Sequence, residues 1–169
     1  VWEDHPFILV DTGGIDDNPE DLLVSHIREQ ALTAINEADI IVFLMDGRAG
    51  LNPADHEVAE ILRRTEKPIL HVVNKIDGPE QELEQLLPFY ELGVDRLWSL
   101  SAEHTYGFRT LMEGLGEILA RQTEGEADID LPENTVKVAF LGRPNVGKSS
   151  MINQILGEER MVVSEISGT

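Results

Sequence analysis

The chain has 169 residues, 13 Lys and Arg against 32 Asp and Glu for a formal charge of −19, 41% hydrophobic residues and no cysteine. That length suits one compact domain or a domain with part of another, and the lack of cysteine excludes a disulfide scaffold and a thiolate metal site and fits a reducing cytoplasm. No apolar run nears the roughly 20 residues of a membrane span, and a pI near 4.4 sets the surface as a whole against a phosphate backbone, so neither membrane nor DNA is expected as a partner.

The first apolar run, Phe7 to Val10, is β-rich and nearly continuous, as in a strand buried on both faces of a parallel sheet. It leads into Asp11-Thr12-Gly13-Gly14, an Asp-x-x-Gly element whose carboxylate can join a Mg²⁺ shell and whose Gly14 N–H can meet a γ-phosphate. Pro19 to Glu37 carries Leu22, Leu23, Ile27, Ala31, Ala34 and Ile35 near a 3.6 period and reads as a helix. A second buried strand, Ile40 to Met45, is followed by Asp46-Gly47; without a glycine three positions after it, Asp46 reads as a turn residue. Asp55 to Arg64 is helical, with Val58, Ala59, Ile61 and Leu62 on one side.

A third strand, Ile69 to Val73, runs into Asn74-Lys75-Ile76-Asp77. A carboxylate here can accept from the N1–H and 2-amino group of guanine, which adenine does not offer, so Asp77 is the candidate guanine selector. The Lys75 stem can cover the base and Asn74 can tie loops together; the alternative is a helix start with Asp77 as its cap. Glu80 to Glu91, with Leu83, Leu86 and Leu87, reads as a helix, Leu97 to Leu100 as a strand, and Phe108 to Arg121 as a further helix. Ser101-Ala102, after the fourth strand, is placed to offer backbone N–H groups to the guanine O6, at the strand ends where open α/β sheets hold ligands.

The alternation then breaks. Residues 123–135 carry Glu124, Glu126, Asp128, Asp130 and Glu133, no base and no apolar period, which is the composition of a linker, the alternative being an acidic loop inside one domain. A fresh strand, Val136 to Leu141, follows, and then Gly142-Arg143-Pro144-Asn145-Val146-Gly147-Lys148-Ser149, a full Gly-x4-Gly-Lys-Ser phosphate loop before a helix starting near Lys148. In such a loop backbone N–H groups of Gly142, Asn145, Val146 and Gly147 curl round phosphate. Lys148 neutralises β/γ oxygens, the Ser149 hydroxyl ligates Mg²⁺, and Ser149 and Ser150 open a helix whose positive end faces the anion. Strands alternating with helices imply right-handed crossovers and a doubly wound α/β sheet of the P-loop NTPase kind.

Together these motifs resemble the translation-factor-class GTPases, and specifically the bacterial Der (EngA) family within the TrmE-Era-EngA-YihA-Septin group, which carries two GTPase domains in tandem. The resemblance covers nearly the whole chain, through Asp11-Thr12-Gly13-Gly14-Ile15, Gln30-Ala31, Ala38-Asp39, Asp46-Gly47-Arg48-Ala49-Gly50-Leu51, Lys67-Pro68, Asn74-Lys75-Ile76-Asp77 and the phosphate loop. It implies that 1–122 is the C-terminal part of a first G domain, 123–135 the linker, and 136–169 the N-terminal part of a second. On this reading Val1 and Thr169 are cuts through motifs, and a KH-like domain directed to ribosomal RNA lies outside the chain.

The resemblance further implies GTP and GDP as ligands, GTP hydrolysis in the parent protein and a role in large-subunit ribosome assembly. Lys148 and Gly14 would take the catalytic positions, Thr169 would belong to a switch as the Mg²⁺ ligand or its neighbour, and Asn145 would position K⁺. Ile15 stands where other GTPases have a catalytic Gln. Asn145 as a plain loop-stabilising side chain is the alternative to the K⁺ role. Two further readings stay open. A noncatalytic fragment or binding module with incomplete sites fits the same motifs, whereas Asp77 argues against a P-loop ATPase. The order of motifs is also that of a circularly permuted G domain, since a linker of about a dozen residues reaches roughly 40 Å. His5, His26, His56, His71 and His104 show no ligand spacing, and Trp2 and Trp98 read as packing residues.

Overall fold

In the computed structural model, residues 7–11, 20–123 and 135–157 are described. The strands are β1 (Phe7–Asp11), β2 (Ile40–Asp46), β3 (Ile69–Asn74), β4 (Leu97–Ser99) and β5 (Val136–Leu141), and they form one sheet in the order β1-β5-β2-β3-β4. Every pairing is parallel. The last strand in sequence thus lies between the first two: β5 meets β1 with Phe7 opposite Val136 and Asp11 opposite Phe140, and meets β2 with Ile40 opposite Val138 and Phe43 opposite Leu141. Of the acidic segment expected as a linker, residues 124–134 lie outside the described part.

Because side chains alternate along a strand, the buried run of β2 splits between two cores. Ile41, Phe43 and Met45 join Ala139 and Leu141 of β5 on one face, under helices α1 (Glu20–Glu37), α2 (Pro53–Leu62) and α3 (Pro79–Leu86). Ile40, Val42 and Leu44 join Val138 and Phe140 on the other, under α4 (Phe108–Thr123) and α5 (Lys148–Leu156). Continuous apolar strands are what a parallel sheet covered on both faces requires.

Helix boundaries differ from expectation where local chemistry intervenes. α2 starts at Pro53, before the expected Asp55, because Asn52 accepts from Ala54 N at 2.9 Å while Asp55 Oδ2 accepts from Asn52 N at 3.1 Å, a reciprocal cap with proline in the first turn. The helix expected over Glu80–Glu91 is α-helical only to Leu86 and continues as a 3₁₀ segment, Leu87–Leu92. Pro88 has no N–H for an i→i−4 bond, which is reason enough for the tighter winding. Leu86, Phe89 and Leu92 pack inward, whereas Leu83 and Leu87, counted with the apolar face of that helix, are 77% and 63% exposed.

Among the described residues no helix is long and apolar enough to cross a membrane. With all strands running one way, Asp11, Asp46, Asn74, Ser99 and Leu141 end along one edge, and the loops that leave them share that edge.

Candidate functional site

The phosphate loop leaves the central strand β5. Gly142 sits against the neighbouring β2 backbone, where an added Cβ would lie 2.4 Å from the Leu44 carbonyl oxygen. Gly147 has φ +100° and a Cβ there would lie 2.2 Å from Asn74 Nδ2, so both conformation and space demand glycine. Asn145 adopts φ +61°, a left-handed conformation that Asn tolerates better than most residues. α5 begins at Lys148 with no side-chain cap, leaving its first N–H groups directed at the loop. Lys148 Nζ donates to the Gly142 and Arg143 carbonyls at 2.7 and 3.0 Å, curling the loop round its own ammonium. Ser149 and Ser150 sit half-buried in the first turn and Val146 is buried.

The loop after β3 is joined to this one by a single amide. Asn74 Nδ2 donates to the Val146 carbonyl at 2.6 Å, and Asn74 Oδ1 accepts from Ala102 N at 2.9 Å. Asn74 is 2% exposed, so these charge-neutral bonds are shielded from water and costly to leave unmade. Asp77 lies one step further out. Its Oδ1 accepts from Ser101 Oγ at 2.9 Å and its Oδ2 pairs with the Arg48 guanidinium, with His104 Nε2 4.0 Å from Oδ1. The Arg48 hydrogen bond, and after it that of Ser101, holds the Asp77 carboxyl below the ordinary carboxylate range.

Sequence reasoning placed Ser101 and Ala102 with their N–H groups toward a guanine O6. The structure uses both otherwise: Ser101 N donates to the Tyr106 carbonyl at 2.9 Å, and Ala102 N serves Asn74. The Ser101–Tyr106 bridge closes the 101–106 turn on itself, and Ser101 contributes through its hydroxyl instead.

Three further residues carry more than the motifs announced. Asp46 Oδ1 accepts from Arg48 N and Ala49 N at 2.9 and 3.0 Å, and its Oδ2 pairs with Lys75 Nζ at 2.6 Å. It is a turn residue, as expected, and also the anchor of the lysine beside the base loop, whose own backbone has φ +69°. Asp55, fully buried, receives Arg143 of the phosphate loop in a two-pronged pair at 3.0 and 3.1 Å. Burial nonetheless raises the Asp55 pKa, against the lowering by Arg143. An acid three residues after a cap residue, Asp55 after Asn52, is the available sequence signal; it marks a helix start and gives no hint of Arg143.

Asp11 ends β1 opposite Phe140, beside the strand that feeds the phosphate loop. Its side chain, and Thr12, Gly13, Gly14 and Thr169, lie outside the described part. Among the described residues no group of three or more His, Asp or Glu could hold a metal unaided. Two clefts, of about 680 and 540 Å³, are lined by residues such as Lys67, Pro68, Ile69 and Arg96, next to the starts of β3 and β4 at the opposite edge of the sheet.

The chain matches the family described as 50S ribosome-binding GTPase over residues 1–75 and 137–169. It belongs to that family. It is homologous to GTPase Der: it is 49% identical to that of Geotalea uraniireducens over 166 residues, 98% of this chain and 36% of that protein. With GTPase Der of Clostridium tetani the identity is 45% over 168 residues, 99% of this chain and 37% of the relative. The chain therefore spans little more than a third of the length of these relatives. Among solved structures it resembles Era in complex with MgGDPNP and a segment of 16S ribosomal RNA, with a TM-score of 0.52 and 24% identity over 72% of this chain and 41% of the other. Aquifex aeolicus Era bound to GDP and AlF4⁻ matches at the same TM-score with 22% identity, over the same shares of the two chains. These likenesses give the fold, an Era-like P-loop GTPase fold with an all-parallel sheet.

Proposed function

We propose that the chain binds guanine nucleotide in one composite site, as a circularly permuted G domain, and that the longer protein hydrolyses GTP in large-subunit ribosome assembly. The observation that carries the reading is the bond from Asn74 Nδ2 to the Val146 carbonyl at 2.6 Å, which joins the base-side loop of residues 74–77 to the phosphate loop of residues 142–149. The position of β5 between β1 and β2 supports it, since the phosphate and metal loops then leave adjacent strands and the base loop leaves β3 along the same edge.

In this reading Gly142, Asn145, Val146, Gly147 and Ser150 cradle phosphate with backbone N–H groups, and Lys148 leaves the Gly142 and Arg143 carbonyls for the β/γ oxygens. Asp77 accepts from the guanine N1–H and 2-amino group, and the Lys75 stem, held by Asp46, covers the base. The hard oxygen donors Ser149, Asp11 and Thr169 suit Mg²⁺, which binds through one or two protein oxygens together with phosphates. When bound, Mg²⁺ neutralises phosphate charge. K⁺ beside Asn145 would add positive charge where other GTPases use an arginine finger, and Gly14 N–H would meet the γ-phosphate. GTP, GDP and a large ribosomal subunit or its precursor are the proposed partners.

Titration with fluorescent GDP and ADP tests the reading. GDP should bind more tightly, and Asp77→Asn should weaken it about 10- to 100-fold, the worth of charge-assisted hydrogen bonds of about 1.5–3 kcal/mol. Lys148→Ala should abolish binding of both nucleotides. Equal affinity for GDP and ADP would sink guanine selection, and binding that survives Lys148→Ala would sink the phosphate loop. GTP turnover by the chain separates an enzyme from a binding module.

A further inference from the structure

The turn after β2, residues 46–50, takes no phosphate, metal or base contact in the reading above. Yet it delivers a competitor to the base. Guanine needs both oxygens of Asp77, and both already have donors, Ser101 Oγ on Oδ1 and Arg48 on Oδ2. The two donors differ in how they can yield. Ser101 is 1% exposed and pinned by its bridge to Tyr106, so it stays as a fixed support. The Arg48 side chain is 53% exposed, on the solvent side of a carboxylate that is itself 29% exposed, and it can swing away.

The root of Arg48 cannot move with it. Arg48 N and Ala49 N are bonded to Asp46 Oδ1, Gly50 N to the Asp46 carbonyl at 3.0 Å, and Gly47 N to the Asn74 carbonyl at 2.8 Å. A flexible cation on a fixed root stays at high effective concentration beside its carboxylate. The other basic side chains near the base loop are otherwise occupied or distant: Lys75 is paired with Asp46, and His104 approaches only to 4.0 Å.

We propose that Arg48 is a built-in release element, which holds Asp77 in the empty protein, gives it up to the guanine base, and reclaims it as the nucleotide leaves. The proposal rests on the guanine reading of Asp77. A contact made only in the empty state lowers affinity by its own worth. For an exposed pair that is about two- to fivefold, and it acts on the release rate because the pair re-forms as the base departs.

The test uses the whole chain loaded with fluorescent GDP and chased with unlabelled GDP, in about 0.05 M and about 0.5 M salt. Arg48→Ala and Arg48→Gln should slow release and tighten GDP about two- to fivefold at low salt, with Arg48→Lys in between. High salt should shrink the difference, and ADP affinity should not change, since adenine leaves the Arg48–Asp77 pair intact. Release from both neutral variants at or above the wild-type rate overturns the proposal, the faster outcome making Arg48 a support for Asp77 instead. A wild-type chain that binds GDP no better than ADP overturns the guanine reading beneath it. Urea midpoints for the variants, which an exposed pair moves little, establish that they are folded.

Discussion

Arg143→Met removes the charge that pairs with Asp55 while keeping an apolar stem of similar reach. Asp55 is fully buried and the Arg143 side chain is 16% exposed, so the carboxylate would be left without a counter-ion in the interior. Breaking a buried pair from one side costs about 3–5 kcal/mol, and with a urea slope of about 2 kcal/mol/M the midpoint should fall by about 1.5–2.5 M. The pH dependence separates this mechanism from simple loss of packing. The folded pKa of Asp55 already lies above its ordinary value, burial outweighing Arg143, and loss of Arg143 raises it further. A carboxyl with a raised folded pKa favours the folded state at low pH, and that contribution is lost as pH rises through the folded value. The defect of Arg143→Met should therefore be largest near neutral pH and shrink toward the acid side, as the stranded group takes up a proton. Urea unfolding of both proteins across that range measures it. A defect constant with pH, or below about 1 kcal/mol as for a surface pair, would refute the argument. Restoration by Asp55→Leu in the Arg143→Met background would support it.

Gly147→Ala should cost about 1–2 kcal/mol for its φ of +100° alone. It also pushes Asn74 off the Val146 carbonyl, so GDP binding should be lost in titrations while the circular dichroism stays native. His71, whose pKa burial and then Arg63 lower from 6.5 to about 4, is neutral in the folded protein; its contribution is complete above 6.5 and lost as pH falls toward 4. His71→Leu should flatten that acid limb by up to about 3 kcal/mol in urea unfolding, and an unchanged limb would place the loss elsewhere. If the proposed function holds, GTP turnover by the longer protein should be faster in K⁺ than in Na⁺, and Asn145→Ala should erase the difference; equal rates in the two salts would remove Asn145 from ion binding.

Much of the sheet could be read from sequence because each strand is a continuous apolar run followed by a charged or glycine-rich loop. Ile40–Asp46 and Val136–Leu141 are buried along nearly their whole length, and that pattern suits only a sheet covered on both faces. The loop motifs were legible for a similar reason: Gly147 and Asn74 are each forced by close approach. What escaped reading depends on partners distant in sequence. Nothing local to Arg143 points to Asp55, 88 positions away, and nothing near Arg48 points to Asp77. The Glu80–Glu91 helix misled in part through Pro88, whose missing N–H ends the α winding at Leu86, and Leu83 and Leu87 both face solvent. The N–H groups of Ser101 and Ala102 were assigned outward because a turn closing on Tyr106 leaves no periodic trace.

The seat of β5 has a consequence for how this segment refolds. Among the described residues β1 has no strand neighbour except β5, and β2 has β5 on one flank. When this segment refolds from denaturant, β2, β3 and β4 can assemble while β1 waits, and β2 presents an open edge until residues 136–141 dock. Open parallel edges recruit whatever strand arrives first. A segment truncated before residue 136 should therefore be a better substrate for holding chaperones than the 169-residue segment, in which the closing strand brings its phosphate loop with it.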